Sequence, residues 1–341
     1  MTPALDVPLT LPPLPAAPLV SVLTASYNYA DYLPRALESV LAQTYGRFEV
    51  VVCDDGSADA SPEIAAEYAR RDARVRLLRQ ANGGVASALN AAFRASRGDV
   101  ICLLDADDVF APEKLARTAE AMRQRPRAGY LVHALHVIDG GGTITGRLPA
   151  GGVPETGWIA EAVRRRGGRW RSMPAAGLVL HRAVAERLFP IPEVLFRSEA
   201  DGYLNTLAPL LTEVAYLAEP LAGYRVHGAN LTAAERLGPA ASARRLDALR
   251  RQGEGVNRRL AALGVPGEPL VLGRNLHFVE HRFMQHLFEG RPRSALLATY
   301  LDFARCLLSD AVYGLPRKAL SLAAYAVALA LPAAARAAWL T

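Results

Sequence analysis

Lysine is nearly absent from this 341-residue chain: of its 39 basic residues only Lys114 and Lys318 are lysines. The net charge of +6 is therefore carried by arginine. No stripe of basic residues interleaved with aromatics accompanies it, which argues against a nucleic-acid partner. Cysteine is equally sparse. Cys53, Cys102 and Cys306 are odd in number and far apart, which excludes a disulfide scaffold, and two lie inside apolar runs where a thiol packs as a small hydrophobe. This usage suits a reducing cytoplasm. The chain has no Gly-x-Gly-x-x-Gly after its first apolar run, where Ser26-Tyr27-Asn28 stands instead; this disfavours a nicotinamide oxidoreductase. A glycine-rich loop carrying Arg and Lys, which a sugar nucleotidyltransferase would need, is also missing there. No internal repeat is found. The first eighteen residues hold six prolines and no basic segment ahead of an apolar stretch, so residues 1–18 read as an extended arm rather than a signal peptide.

What is present is a large apolar complement, 51% of the residues, enough for a full core and more than one unit. From Leu19 onward short apolar runs alternate with helical periodicity. Leu19 to Leu23 predicts a strand, and Asp31 is the expected cap of a helix with Pro34 in its first turn. Phe48 to Cys53 predicts a second strand, and Ser61-Pro62-Glu63 the capped start of a second helix. Val75 to Leu78 and Val100 to Leu104 predict two more strands, with a helix between them built on Val85, Ala88, Leu89, Ala92 and Phe93. Strands separated by helices pair in parallel through right-handed crossovers, so the expected fold is α/β, a doubly wound and mostly parallel open sheet. Beyond Tyr130 the pattern weakens, and from Leu231 it turns helical and rich in Ala, Leu and Arg. The expected domains are the arm (1–18), an α/β unit (19–230) and a helical carboxyl-terminal region (231–341).

Two of the apolar runs end in clustered carboxylates: Cys53-Asp54-Asp55-Gly56-Ser57, and Leu104-Asp105-Ala106-Asp107-Asp108. Charge at the end of a buried strand is costly unless a cation or ligand sits against it, and in open α/β sheets ligands bind at the carboxyl ends of strands. Both clusters should therefore face one pocket. If the chain is still extended at Asp105 and Asp107, both side chains point the same way. Two hard oxygen ligands without a complete cage suit Mg²⁺ or Mn²⁺, whose other positions go to water and substrate phosphates.

At this point the chain resembles the inverting family 2 glycosyltransferases of the GT-A fold. The resemblance rests on Val20-Ser21-Val22-Leu23-Thr24-Ala25-Ser26-Tyr27-Asn28, Asp54-Asp55-Gly56-Ser57, Asn82-Gly83-Gly84 with Asn90, Asp105-Ala106-Asp107-Asp108 and Tyr224-Arg225-Val226-His227, in that order, over residues 19 to 230. It implies a metal-dependent transferase, of the hexosyltransferase type, with a GT-A-like nucleotide-sugar core. The pocket near Tyr27 and Asp55 would hold the nucleotide base, with Asp54 and Asp105 near it and its ribose. Ala25, Asn28, Asn82, Gly84, Asn90 and Ala106 complete the expected nucleotide-sugar contacts. Asp107 would bind the metal, and His227 would lie near the metal or the diphosphate. Glu199 and Asp201 fall where such enzymes keep the acid that deprotonates the acceptor, and Asp201 fits the base better. Two departures from the family pattern stand out: Ala25 replaces a common threonine, and Leu89 replaces a common arginine, so a base-pocket hydroxyl and a phosphate-region cation are expected to be missing.

The expected function is transfer of a sugar from a UDP-, GDP- or dTDP-linked donor to the hydroxyl of a glycan or lipid-linked acceptor in surface polysaccharide or glycolipid assembly. The competing reading from another class is a non-catalytic sugar-nucleotide or glycan-binding module of the same fold. A separate motif, His277-Phe278-Val279-Glu280-His281, matches the zinc pattern of inverzincin peptidases, although the upstream α/β pattern has no peptidase logic. Arg164-Arg165-Arg166 with Arg169 and Arg171 forms a basic patch, read first as a solvated face. Ala319 to Ala335 carries no charge but is shorter than a spanning helix and is interrupted by Ser321 and Pro332. It is either buried in the helical region or inserted at a bilayer interface. The expected location is cytoplasmic, with peripheral contact on the inner face of the cell membrane.

Overall fold

Apolar runs without alternation become strands buried on both faces. Val20–Ser26 (β1) and Phe48–Asp54 (β2) are such strands, and between them lies Leu33–Leu41 (α1), which turns Leu33, Ala36, Leu37 and Val40 inward. Next come Ser61–Arg71 (α2), Val75–Arg79 (β3), Val85–Ala95 (α3), Val100–Leu103 (β4), Val109–Phe110 (β5) and Lys114–Gln124 (α4). Ala128–Ile138 (β6), Ile144–Leu148 (β7), Ala160–Arg165 (α5), Leu178–His181 (β8), Arg182–Leu188 (α6), Ala200–Leu207 (α7) and Glu213–Arg225 (β9) follow. Four helices follow among the described residues: Pro239–Ala262 (α8), Leu276–Phe288 (α9), Arg293–Ser309 (α10) and Leu315–Ala330 (α11). This computed structural model describes residues 7–149, 152–228, 238–310 and 313–331. The start of the arm, the expected border at 230/231 and residues 332–335 of the uncharged stretch lie outside the described residues.

The chain divides into two compact units, Met1–Ile159 with Ser172–Gly228, and Ala160–Arg171 with Ala229–Thr341. In the first, the nine strands form one sheet in the order β3-β2-β1-β4-β8-β6-β9-β5, with β7 beside β6. The expected parallel pairing holds for β3, β2, β1 and β4. Beyond β4 the sheet is mixed: β8 runs antiparallel to both β4 and β6, and β5 antiparallel to β9, while β6 and β9 are parallel. The link 139–143 between β6 and β7 is too short for a helical crossover, so these two pair antiparallel. The arm runs extended over this unit, where Leu9 N donates to Leu211 O at 2.8 Å and Tyr45 Oη to Pro18 O at 2.6 Å.

Two local expectations change. Asp31 does not cap α1, which starts after Tyr32 with no side-chain cap. Ser61 is the first residue of α2 rather than its cap, and its Oγ accepts from Tyr29 N at 2.9 Å.

The second unit packs α9, α10 and α11 around Leu276, Val279, Phe283, Phe303, Leu307 and Ala328. The His-x-x-Glu-His motif lies on α9 but builds no metal site among the described residues: Glu280 accepts from Tyr325 Oη at 2.8 Å, and no cluster of three ligand side chains forms there. Burial pushes the pKa of His277 down to about 3 and also lowers that of His281. Among the described residues no helix is long and apolar enough to cross a membrane.

Candidate active site

Because β1 lies between β2 and β4 and all three are parallel, their carboxyl ends open on one edge of the sheet. Ser26 is level with Asp54 there. The opposite edge shows what a satisfied carboxylate looks like in this protein. Buried Glu49, near the start of β2, accepts from Ser21 Oγ at 2.7 Å and from the Arg97 backbone, and pairs with Arg76 and Arg97. At the carboxyl edge, by contrast, Asp54 Oδ1 and Asp108 Oδ2 are buried and have no hydrogen-bond partner. Leaving such acceptors unmet is expensive, and their placement on one edge marks a site that expects a ligand.

The β2 loop is tightly organised. Asp55 accepts from Gln80 Nε2 at 2.7 Å, Gly83 N at 2.9 Å and Gly84 N at 2.7 Å. Both its oxygens thus hold the Asn82–Gly84 loop, and Asp54 is the carboxylate with an oxygen left over. Asn28, at φ +58°, takes Ala58 N on its Oδ1 at 2.8 Å and donates its own backbone N–H to Ser57 Oγ at 2.9 Å. It ties the loop after β1 to the loop after β2 and leaves Tyr27, 46% exposed, at the rim. Ala25 is partly exposed near the end of β1, and Ala106 is buried between Asp105 and Asp107. Asn90 is wholly buried on α3: its amide donates to Ile191 O and Glu193 Oε1 and its Oδ1 accepts from Ile191 N at 2.7 Å. It therefore positions the 191–193 segment.

The acidic cluster after β4 forms for a different reason than strand alternation. The strand ends at Leu103, and a turn closed by Asp108 N donating to Asp105 O at 3.1 Å folds the run back on itself. Asp105, Asp107 and Asp108 each bring an oxygen within 4.8 Å of the others. Asp108 is thus a third member that the extended reading missed. Burial, with Asp107 and Asp201 adding negative charge, pushes the Asp105 carboxyl up to about 8. Burial, then Asp105 and Asp107, raises Asp108 as well. Asp201 sits in the first turn of α7, behind its N-cap Glu199, and burial raises it too. The effect of Asp201 on Asp105 brings this expected base into the same electrostatic neighbourhood.

Arg225, at the end of β9, braces the cluster. Its N–H donates to Asp108 Oδ1 at 2.7 Å, its Nε to Asp107 O at 2.6 Å, and its Nη1 to Asp139 O and Gly140 O at 3.0 Å each. Two residues on, His227 Nε2 meets Asp107 Oδ2 at 3.0 Å, and its ring stacks on Tyr32 with centroids 4.6 Å apart. The two groups point at one another, an arrangement that shares a proton or a cation. Hard oxygens, an unmet Asp108 oxygen and carboxyls held above their usual range are the donor set a divalent cation satisfies.

Leu89 is buried and apolar. An arginine from elsewhere reaches the adjacent loop: Arg197 donates to Gly83 O at 3.0 Å and to the Asn82 side chain. Its position two residues before Glu199 was the available signal.

Comparisons with known proteins agree with this layout. The model of the family described as glycosyl transferase family 2 matches residues 21–189. An uncharacterised glycosyltransferase of Nostoc sp. is 38% identical over 212 residues, covering 62% of this chain and 66% of that protein. The succinoglycan biosynthesis protein ExoO of Rhizobium meliloti is 46% identical over 110 residues, covering 32% of this chain and 31% of that one. Chondroitin synthase of Escherichia coli is 40% identical over 111 residues, 33% of this chain and 16% of that one. The chain thus spans just under two thirds of the Nostoc protein and much less of the others. Among solved structures, S. aureus TarS 1–349 in complex with UDP-GlcNAc aligns with a TM-score of 0.55 at 17% identity, over 84% of this chain and 81% of that one. Mannosyltransferase PcManGT from Pyrobaculum calidifontis, in complex with GDP-Man and Mn²⁺, aligns at 0.51 and 20% identity, over 98% of this chain and 89% of that one. The fold is GT-A-like, and residues 21–189 form a glycosyl transferase family 2 domain.

Proposed function

We propose that the chain is a metal-dependent, inverting glycosyltransferase that moves a sugar from a nucleoside-diphosphate donor to an acceptor hydroxyl in surface polysaccharide or glycolipid assembly. The observation that carries the reading is the edge where Asp54 and Asp108 keep unmet buried oxygens while the charge of Asp201 reaches Asp105. Tyr27 offers an exposed ring for a nucleotide base, and Asp54 Oδ1 an acceptor for a base or ribose donor. Arg197 supplies a cation beside the Asn82–Gly84 loop. Asp105 and Asp107, with His227, would hold Mg²⁺ or Mn²⁺, which when bound offsets the charge of a departing diphosphate. Asp201, raised by burial, takes the proton of the attacking hydroxyl. The acceptor oxygen then bonds to the anomeric carbon as the bond to the nucleoside diphosphate breaks on the opposite face, inverting that centre without a covalent enzyme intermediate. The succinoglycan and chondroitin relatives support a glycan acceptor. Work at the inner face of the cell membrane fits that acceptor.

A thermal-shift screen of UDP, GDP and dTDP and their sugars, each with and without Mn²⁺, tests the site, because a ligand that binds only the folded state raises its melting temperature. At least one nucleotide should stabilise the protein more with Mn²⁺ than without. Absence of any Mn²⁺-dependent shift would remove the site assignment.

A further inference from the structure

Beyond its first turn, the fully exposed positions of α11 are all apolar: Ala319, Leu320, Ala323, Ala326, Val327 and Ala330. Leu315 is 79% exposed, Leu320 71% and Val327 52%. The neighbouring α10 exposes Leu297, Leu301 and Leu308 at helical spacing. The inner faces of the two helices are already occupied by each other, through Tyr300 Oη donating to Leu322 O at 3.1 Å, Phe303 edge-on to Tyr325 and Lys318 Nζ donating to Leu308 O at 2.8 Å. The outward leucines are therefore surplus to the packing of this unit. A patch of exposed large apolar side chains, broken on α10 only by Arg305, marks an interaction site.

Charge identifies what covers it. The helical unit, Ala160–Arg171 with Ala229–Thr341, holds 20 Lys and Arg against nine Asp and Glu, a net of +11. The sheet unit holds 19 against 24, a net of −5. The positive charge of the molecule is thus concentrated in the unit with the bare apolar stripe, and no acidic residue follows Asp310 in the sequence. A second copy of so cationic a unit would be repelled. A bilayer containing anionic lipid supplies both an apolar interior and compensating charge.

We propose that this unit docks on an anionic bilayer through α11. The helix lies in the plane of the interface, with Leu315, Leu320 and Val327 among the acyl chains and Arg317 at headgroup level. This deepens the reading that the protein works at the inner membrane face, and it needs no statement about which sugar is transferred. At 16 residues α11 is an interfacial helix and not a spanning one.

Co-sedimentation of the full chain with vesicles tests the proposal, using phosphatidylcholine alone and phosphatidylcholine mixed in equal parts with phosphatidylglycerol. Wild type should bind the mixed vesicles and not the zwitterionic ones. The double variant Leu320→Gln, Val327→Gln should bind the mixed vesicles about tenfold more weakly, with an unchanged melting curve, since both side chains are solvent-exposed. As a second readout, a bimane label on Ala323→Cys should shift to the blue on the mixed vesicles. The three native cysteines are buried, so the label reports one place. No binding by wild type overturns both this proposal and the membrane reading. Binding that the double variant leaves unchanged, with no shift of the label, overturns the docking face alone. Equal binding to both vesicle types overturns the part assigned to charge.

Discussion

Arg225 heads the largest fully buried side chains, and it is placed so that removing it disturbs the acidic cluster directly. Its guanidinium holds the Asp107 carbonyl while its own N–H holds an Asp108 oxygen. Only the side-chain bonds are lost in Arg225→Met, which frees the turn that brings three carboxylates together. Mn²⁺ affinity, followed by the electron paramagnetic resonance of the free ion, should fall about tenfold; unchanged affinity would mean the turn holds itself. Lys114 gives a separate residue-scale test. It is buried over the Phe110 ring, with its ammonium 3.5 Å from the ring centre, and donates to the Ala176 carbonyl. Burial pushes its pKa down to about 7, while Cys102 and Asp108 pull the other way. Between that value and the ordinary lysine value near 10.4 the unfolded chain binds more protons than the folded one, so Lys114 makes stability rise with pH through this window. Below it the burial penalty stands in full. Lys114→Met removes the slope: its melting temperature relative to wild type should be highest near about pH 6 and decline by several degrees toward about pH 10. A difference independent of pH would contradict the assigned shift.

At the scale of elements, the loop after β3 depends on one glycine. Gly84 has φ +91°, and a Cβ there would lie 2.7 Å from the Arg197 carbonyl oxygen. Gly84→Ala should destabilise the protein by about 1–3 kcal/mol and weaken nucleotide binding, because the loop it displaces is held by Asp55 and is bonded by Arg197. Calorimetric melting and nucleotide titration check the two effects, and an unaltered titration would detach this loop from the site. Of the strands that were legible in the sequence, β1, β2 and β4 are buried along their length as mainly apolar runs, while β3, only half-buried beyond Val75, was legible from its place between two helical stretches. β9 lies in the stretch beyond Tyr130 where the pattern weakens, because its thirteen residues include Glu219, Pro220 and Gly223 and pass from buried to exposed and back. β6 was not legible as a strand, since His133 and His136 interrupt its apolar pattern, although His133 is wholly buried. The turn that adds Asp108 to the cluster and the commitment of Asp55 and Asn90 to neighbouring loops were not legible, because hydrogen bonds between distant loops leave no periodic trace.

For the whole molecule, the order of the motifs along the chain was enough to place two acidic runs on one edge, since parallel strands flanking β1 can end nowhere else. The membership of Ala160–Arg171 in the helical unit was not legible, because a short basic segment between strands gives no sign of where it packs. What the sheet unit offers as a whole is a single edge at which the carboxylates that end β2 and follow β4 keep unmet acceptor oxygens, with Asp201 of α7 adding negative charge at Asp105. Proton abstraction by Asp201 at that edge is the central claim. The most direct measurement is nucleotide release from the UDP-, GDP- or dTDP-sugar that stabilises the protein with Mn²⁺, with acceptor supplied, for wild type and Asp201→Asn. Turnover should fall at least about a thousandfold in the variant while nucleoside-diphosphate affinity stays within about twofold; turnover that survives the substitution would contradict the account.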